Sequence, residues 1–176
     1  MFSALMRWRG GAMVRYLSLA YFAGIRPAEL QWLTGREDEL INLKTRTITI
    51  PANISKTRHG RHVVISENLA AWLEAFPGPV TGSNFGRMLT EAKKHCNITH
   101  DEARHTFIFF QVAAYRSIGD AALQAGNSES IIKRHYLNLH PREEGEAFFR
   151  IVPVAGQRRA GLADAPAQTN SHLRVV

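Results

Sequence analysis

Apolar residues recur at helical spacing over most of this sequence. Across residues 12–25 they follow a helical period, which Gly24 and then Pro27 interrupt before a second short apolar segment at residues 27–33. This arrangement predicts a helix, a tight turn and a second helix. The same periodicity predicts further helices over residues 69–76, 85–96, 101–115, 118–125, 130–136 and 142–151.

Between residues 40 and 66 the pattern changes to short β-rich runs. These runs, at residues 41–43, 48–50 and 62–65, are separated by polar stretches and predict a three-stranded antiparallel sheet. The fold class is therefore α+β, mainly α-helical with a small sheet. After Val154 no periodicity remains. We expect one domain over residues 1–154 and a disordered tail over residues 155–176.

The charge balance indicates a class of partner. Lysine and arginine total 22 against 15 acidic residues, which gives a net charge of +7 and a pI near 10.1. Such a balance suits a polyanion such as nucleic acid, although many basic proteins never bind one. Cys96 is the sole cysteine, which argues against disulfides or a cysteine metal site and favours a reducing, intracellular setting. No apolar run approaches the ~20 residues that span a bilayer, so no membrane association is expected.

Three segments carry side chains suited to phosphate chemistry, and their order along the chain is as informative as their residues. The first is AGIRPAEL at residues 23–30, and the second is SKTRHGRHVVI at residues 55–65. The third extends over residues 100–136 and contains RHTF, GNS and RHY. In this order they resemble the first arginine box, the lysine-bearing β-hairpin, the second arginine box and the nucleophile helix of the tyrosine recombinases, or phage integrases. The resemblance extends over residues 12–154.

This resemblance implies the catalytic-domain fold of the family and site-specific DNA cleavage and rejoining through a 3′-phosphotyrosine intermediate. Tyr136 would be the nucleophile, and Arg26 with Arg104 would clamp the scissile phosphate through paired guanidinium donors. Lys56 on the hairpin would protonate the leaving 5′-oxygen. Neither a metal ion nor a cofactor is implied. The implied partner is double-stranded DNA, with self-association into a dimer or tetramer on it, in the bacterial cytoplasm or nucleoid.

Two positions depart from the family pattern. Asp101 stands where histidine is most common; aspartate can accept a proton from Tyr136, but its charge beside a phosphate is unfavourable unless an arginine pairs with it. Asn127 stands where the family usually has histidine or tryptophan, and its amide can still donate a hydrogen bond to a phosphate oxygen. Both departures are compatible with a slowed or inactive enzyme.

Neighbouring residues would support this site. Glu29 follows Arg26 by three residues and can orient it within one helical turn. His100 precedes Arg104 by four residues, so the two are expected on one helix face, where the histidine could partly replace the missing one. His105 is expected to point away from that face and to be a structural hydrogen-bonding residue rather than a catalyst.

The hairpin turn beside Lys56 is strongly basic. It is either an ordinary solvated turn or a surface that lies against DNA phosphates. Its candidate DNA-binding residues are Arg58, His59, Arg61 and His62.

Two other functions remain open. We expect the catalytic domain without the second DNA-binding domain that such enzymes usually carry. Together with Asp101 and Asn127, this favours a degenerate or truncated integrase remnant that binds DNA without cutting it, with steep salt dependence. The other is an unrelated helical protein in which the segments coincide by chance. The four main residues of the site would then lie on separate surfaces.

Overall fold

The computed structural model describes residues 1–136 and 141–154, apart from the side chains of His135 and Tyr136. The chain is mainly helical with one small sheet, as the sequence predicts. The tail predicted to be disordered, residues 155–176, lies outside the described residues. In chain order the elements are α1 (Phe2–Arg7), a 3₁₀ turn (Trp8–Gly11), α2 (Val14–Ala23), α3 (Pro27–Leu33), α4 (Glu37–Leu40), β1 (Ile41–Asn42), β2 (Thr47–Ile50), β3 (Arg61–Val64), α5 (Glu67–Ala75), α6 (Phe85–Cys96), α7 (Glu102–Tyr115), α8 (Ile118–Ala125), α9 (Glu129–Tyr136) and α10 (Arg142–Phe148).

All the predicted helices are present, each with its ends within three residues of the predicted ends. Two short helices, α1 and α4, were not predicted. A helix of one or two turns is marginal by itself and depends on packing against the rest of the fold. In α1 that packing comes from Phe2, whose ring stacks on Phe22 with centroids 5.0 Å apart. The period of so short a segment cannot reveal such a contact.

The turn between α2 and α3 is fixed by glycine and proline. Gly24 ends α2 in the left-handed region with φ +61°. Arg26 then adopts an extended conformation, and Pro27 occupies the first position of α3, where its missing N–H costs no hydrogen bond. The chain therefore reverses within a few residues, and Arg26 lies at the N-terminus of a helix.

The sheet has the order β1-β2-β3 with antiparallel neighbours, which confirms the predicted sheet. Ile48 in β2 is the central residue, opposite Ile41 in β1 and Val63 in β3. Ile48 and Val63 are fully buried. One face of the sheet therefore packs on the helical core.

Helix α7 connects the two parts of the core. Its segment from Phe107 to Val112 belongs to a cluster that also holds buried side chains of α8 and α9. At its C-terminal end, α10 crosses it so closely that a Cβ on Gly145 would lie 2.5 Å from the backbone nitrogen of Ala114. No helix in the two described ranges is long and apolar enough to cross a membrane.

Candidate functional site

A cleft of about 520 Å³ brings together residues that are far apart in the sequence. It lies where the N-terminus of α3, the loop between β2 and β3, the start of α7 and the connection from α8 to α9 meet. Five of the six residues predicted as catalytic line it; the side chain of the sixth, Tyr136, lies outside the described residues. The predicted residues in its wall, one of them supporting, are Arg26, Lys56, Asp101, Arg104, His105 and Asn127.

Arg26 and Arg104 converge on one acceptor. Their Nη2 groups donate to Oδ1 of Asn127 at 3.1 and 2.8 Å. Both guanidinium groups also donate to the backbone carbonyl of Ala125, and Arg104 donates to that of Gly24. Protein oxygens therefore hold two positive charges side by side at the wall of the cleft.

The C-terminus of α8 supplies further acceptors for arginine. The carbonyl of Gln124 accepts from Arg61 Nε at 2.9 Å, and that of Gly126 accepts from Arg26 Nη2 at 2.7 Å. The last carbonyls of a helix lack intrahelical donors and carry partial negative charge, so arginines are favourable partners for them. Gly126 has φ +63°, and a Cβ there would lie 3.1 Å from Arg61 Nη1 and 3.2 Å from Arg26 Nη1. The left-handed backbone therefore favours glycine here, and a Cβ would also press on both guanidinium groups.

Glu29 contacts Arg26 as the sequence predicts, but its principal partner is another arginine. Its Oε2 accepts from the Arg26 backbone nitrogen at 3.0 Å, and its Oε1 accepts from Arg26 Nη1 at 3.4 Å. Arg61 donates to both carboxylate oxygens, at 2.9 and 2.7 Å. Burial alone would raise the pKa of Glu29, but hydrogen bonds and charges from Arg61 and Arg26 outweigh burial and hold its pKa below the ordinary value. Glu29 is therefore a buried carboxylate shared by two arginines.

The position of Arg61 differs from that expected of a DNA-contacting turn residue. Its side chain is 8% exposed, and it does not line the cleft. In β3, buried and exposed residues alternate, and Arg61 shares a face with the buried Val63. This alternation is the sequence signal that would have assigned Arg61 to the interior. Its contacts favour pairing with Glu29 over direct contact with DNA.

The other residues of the basic turn are divided between two surfaces. Lys56 is exposed and lines the cleft, with Arg58 and His59 exposed beside it in the same loop. His62, on β3, has its Nδ1 3.3 Å from Oγ1 of Thr49 and lines a separate cavity of about 470 Å³. A ligand in the cleft therefore meets the part of the turn that surrounds Lys56.

The start of α7 differs from the prediction. The helix begins at Glu102, and His100 precedes it, so His100 does not share a helix face with Arg104. Its Nδ1 lies 3.2 Å from Oδ2 of Asp101, and it lines a smaller neighbouring cavity of about 140 Å³. His105, which the sequence places away from the face of Asp101 and Arg104, lines the same cleft as both of them.

The charge of the cleft suits an oxyanion. Arg26, Lys56 and Arg104 supply three cations against the single carboxylate of Asp101. Paired guanidinium donors match the geometry of phosphate oxygens, and they remain charged at any relevant pH. In the part of the chain that the structure describes, no group of three or more histidine, cysteine, aspartate and glutamate side chains is placed to hold a metal ion.

Comparison with known proteins gives this chain no family. Neither the models of protein families, nor the curated proteins, nor the solved structures contain a match to it.

Proposed function

We propose that this chain is a tyrosine recombinase catalytic domain that cleaves and rejoins DNA strands through a 3′-phosphotyrosine link at Tyr136. The observation that carries the proposal is the cleft, in which Arg26, Lys56 and Arg104 meet although they come from three separate segments. Their order along the chain independently predicts phosphoryl transfer on DNA. Scattered positions would instead have favoured an unrelated helical protein.

The proposed cleavage step exchanges one phosphoester bond for another. The scissile phosphate binds between Arg26 and Arg104, whose guanidinium groups stabilise the charge on its non-bridging oxygens. The hydroxyl oxygen of Tyr136 attacks phosphorus as the bond to the 5′-oxygen breaks. Lys56 protonates that leaving oxygen, and Asp101 accepts the phenolic proton.

Rejoining is the reverse reaction with a new strand. The 5′-hydroxyl of the partner strand attacks phosphorus, and Tyr136 leaves as the tyrosine is regenerated. The bond energy is conserved in the covalent link, so the reaction needs no nucleotide cofactor. Self-association on DNA, which would bring two strands together, stays a prediction.

A second candidate function is DNA binding without cleavage. One observation favours it: both guanidinium groups already donate to Oδ1 of Asn127, an acceptor that a tryptophan at this position could not supply. The amide nitrogen remains as a donor to phosphate, but the two arginines must share their donors between Asn127 and the ligand. Such competition would weaken the clamp and slow cleavage.

The test is a search for detergent-resistant attachment of protein to supercoiled plasmid on a denaturing gel, which requires no known target site. We expect an adduct with the wild type and none with Tyr136→Phe, while plasmid binding at low salt stays the same. Tyr115→Phe is the matched control, because Tyr115 is an exposed tyrosine at the far end of α7 and lies outside the cleft.

The two candidate functions predict different gels. If wild type, Tyr115→Phe and Tyr136→Phe all shift plasmid at low salt and release it at high salt without any adduct, the binding function is correct. If Tyr136→Phe still forms an adduct, Tyr136 is not the nucleophile.

A further inference from the structure

The ion pair between Arg61 and Glu29 lies directly behind the cleft. Its two parallel hydrogen bonds, at 2.9 and 2.7 Å, join the first residue of β3 to the first turn of α3. Both side chains are buried, at 8% and 1% exposure. Neither residue lines the cleft. The pair therefore acts on a ligand only through a third residue.

That third residue is Arg26. Glu29 accepts from its backbone nitrogen and from its Nη1, so each carboxylate oxygen is shared between the two arginines. A Cβ on Gly126 would lie within 3.2 Å of both guanidinium groups, so Arg61 and Arg26 contact the same glycine. One buried carboxylate thus lies between an arginine of the interior and an arginine of the cleft.

The distances indicate how the carboxylate charge is distributed. The contacts with Arg61 are short and involve both oxygens, whereas the contact with the Arg26 guanidinium is a single one at 3.4 Å. Charge-assisted bidentate pairs are the strong ones. Glu29 is therefore neutralised mainly by Arg61, which leaves the charge of Arg26 available to an anion in the cleft.

We infer that Arg61 is a positioning residue: it occupies Glu29 and thereby prevents this carboxylate from capturing the guanidinium of Arg26. This inference rests on the proposed function, in which Arg26 binds the scissile phosphate. Among the residues that the structure describes, Arg61 and Arg26 are the two whose side chains donate to Glu29, so without Arg61 the buried carboxylate keeps Arg26 as its cationic partner. Arg26 would then turn inward, and its positive charge would be less available to an anion in the cleft.

The test measures anion affinity, which does not depend on cleavage. Sulfate is titrated into ¹⁵N-labelled protein, and the arginine side-chain resonances are followed by NMR, with the Arg26 signal assigned from Arg26→Lys. In the wild type we expect a sulfate-dependent shift of Arg26. In Arg61→Met we expect sulfate to bind about tenfold more weakly or worse, as befits the loss of a charge-assisted hydrogen bond.

Two further variants separate positioning from a merely structural role. Arg61→Met combined with Glu29→Gln removes the capturing carboxylate, and we expect it to recover sulfate affinity to within about threefold of the wild type. Arg61→Lys keeps the positive charge but lacks the paired guanidinium donors, so we expect an intermediate affinity for sulfate. If Arg61→Met does not fold, Arg61→Lys decides the question, because it still provides a cation for the buried carboxylate but lacks the paired donors. A sulfate affinity of Arg61→Lys equal to that of the wild type would then overturn the inference.

Arg46→Met is the control for the loss of one positive charge, because Arg46 pairs with the exposed Glu67 outside the cleft. We expect its sulfate affinity to equal that of the wild type. The inference is overturned if Arg61→Met binds sulfate as Arg46→Met does, if the double variant stays as weak as a folded Arg61→Met, or if sulfate does not shift Arg26 in the wild type. A plasmid test without any adduct would refute the proposed cleavage but leave this comparison intact.

Discussion

At the scale of single residues, Gly24 fixes the turn that delivers Arg26 to the cleft. Its φ of +61° disfavours any other residue, and a Cβ would lie 2.2 Å from Cδ1 of Phe107. Phe107 is 1% exposed and cannot move without disturbing the core. We predict that Gly24→Ala lowers the free energy of unfolding by about 2–5 kcal/mol, the sum of left-handed strain and overpacking. Urea denaturation measures this loss.

Gly10 is the matched control for that prediction. Its φ of +63° is nearly the same, but no heavy atom lies within 4 Å of an added Cβ. Gly10→Ala should therefore lower the free energy of unfolding only by the strain of a left-handed backbone, about 1–2 kcal/mol. Equal losses in the two variants would mean that the contact with Phe107 contributes nothing.

At the scale of elements, the Glu29–Arg61 pair joins α3 to β3 and makes their packing depend on pH. The pKa of Glu29 is lower in the folded protein than its ordinary value of 4.5, so near and below that pH the unfolded chain binds the proton of this carboxyl group more readily. The stabilisation is complete above that pH and is lost as pH falls through the folded pKa. We predict that the wild type loses this stability in acid. The free energy of unfolding of Glu29→Gln should change less with pH between about pH 3 and pH 7.

Glu29→Gln also lowers the free energy of unfolding at neutral pH. Glu29→Gln leaves Arg61 buried without a carboxylate, and breaking such a pair costs about 3–5 kcal/mol. Glu67→Gln removes a carboxylate from the Arg46 pair, but Glu67 is 90% exposed, so we expect a change below about 1 kcal/mol. Urea denaturation at each pH measures both variants. Parallel pH profiles for wild type and Glu29→Gln would contradict the assignment to this carboxyl group.

At the scale of the whole molecule, the net charge of +7 predicts salt-dependent DNA binding, and the cleft predicts which face binds. Arg58 is exposed in the loop that carries Lys56, whereas Arg116 is exposed at the opposite end of α7, about 20 Å along the helix. Both substitutions to glutamine remove one charge. The slope of log affinity against log salt is negative, and we predict that Arg58→Gln makes it less steep by about 1, while Arg116→Gln leaves it unchanged.

Fluorescence anisotropy with a short duplex of arbitrary sequence measures both slopes. An equal decrease in the two variants would show that the total charge, and not the face around the cleft, determines binding. A slope that neither variant changes would remove Arg58 from the DNA-binding residues.

The sequence by itself determined the features that depend on neighbours along the chain. Spacing over a few positions predicts the helices, the three strands and the reversal at Gly24 and Pro27. The residue types of the cleft are read directly from the sequence. Each of these signals is local, because a helix or strand repeats within one to four residues. The order of the segments added the expectation that Arg26, Lys56 and Arg104 belong together.

Only the tertiary structure decided which side chains meet. Arg26 reaches the carbonyl of Gly126 across 100 positions, and Arg61 reaches Glu29 across 32. The interior position of Arg61 and the two arginine contacts of Asn127 depend on these long-range approaches, which several helix ends and a strand must create together. Local spacing predicts which residues lie on one face of a helix or strand. It does not predict which other element packs against that face. Because of that packing, Arg61, which the sequence places in a basic turn, is the partner of the buried carboxylate of Glu29.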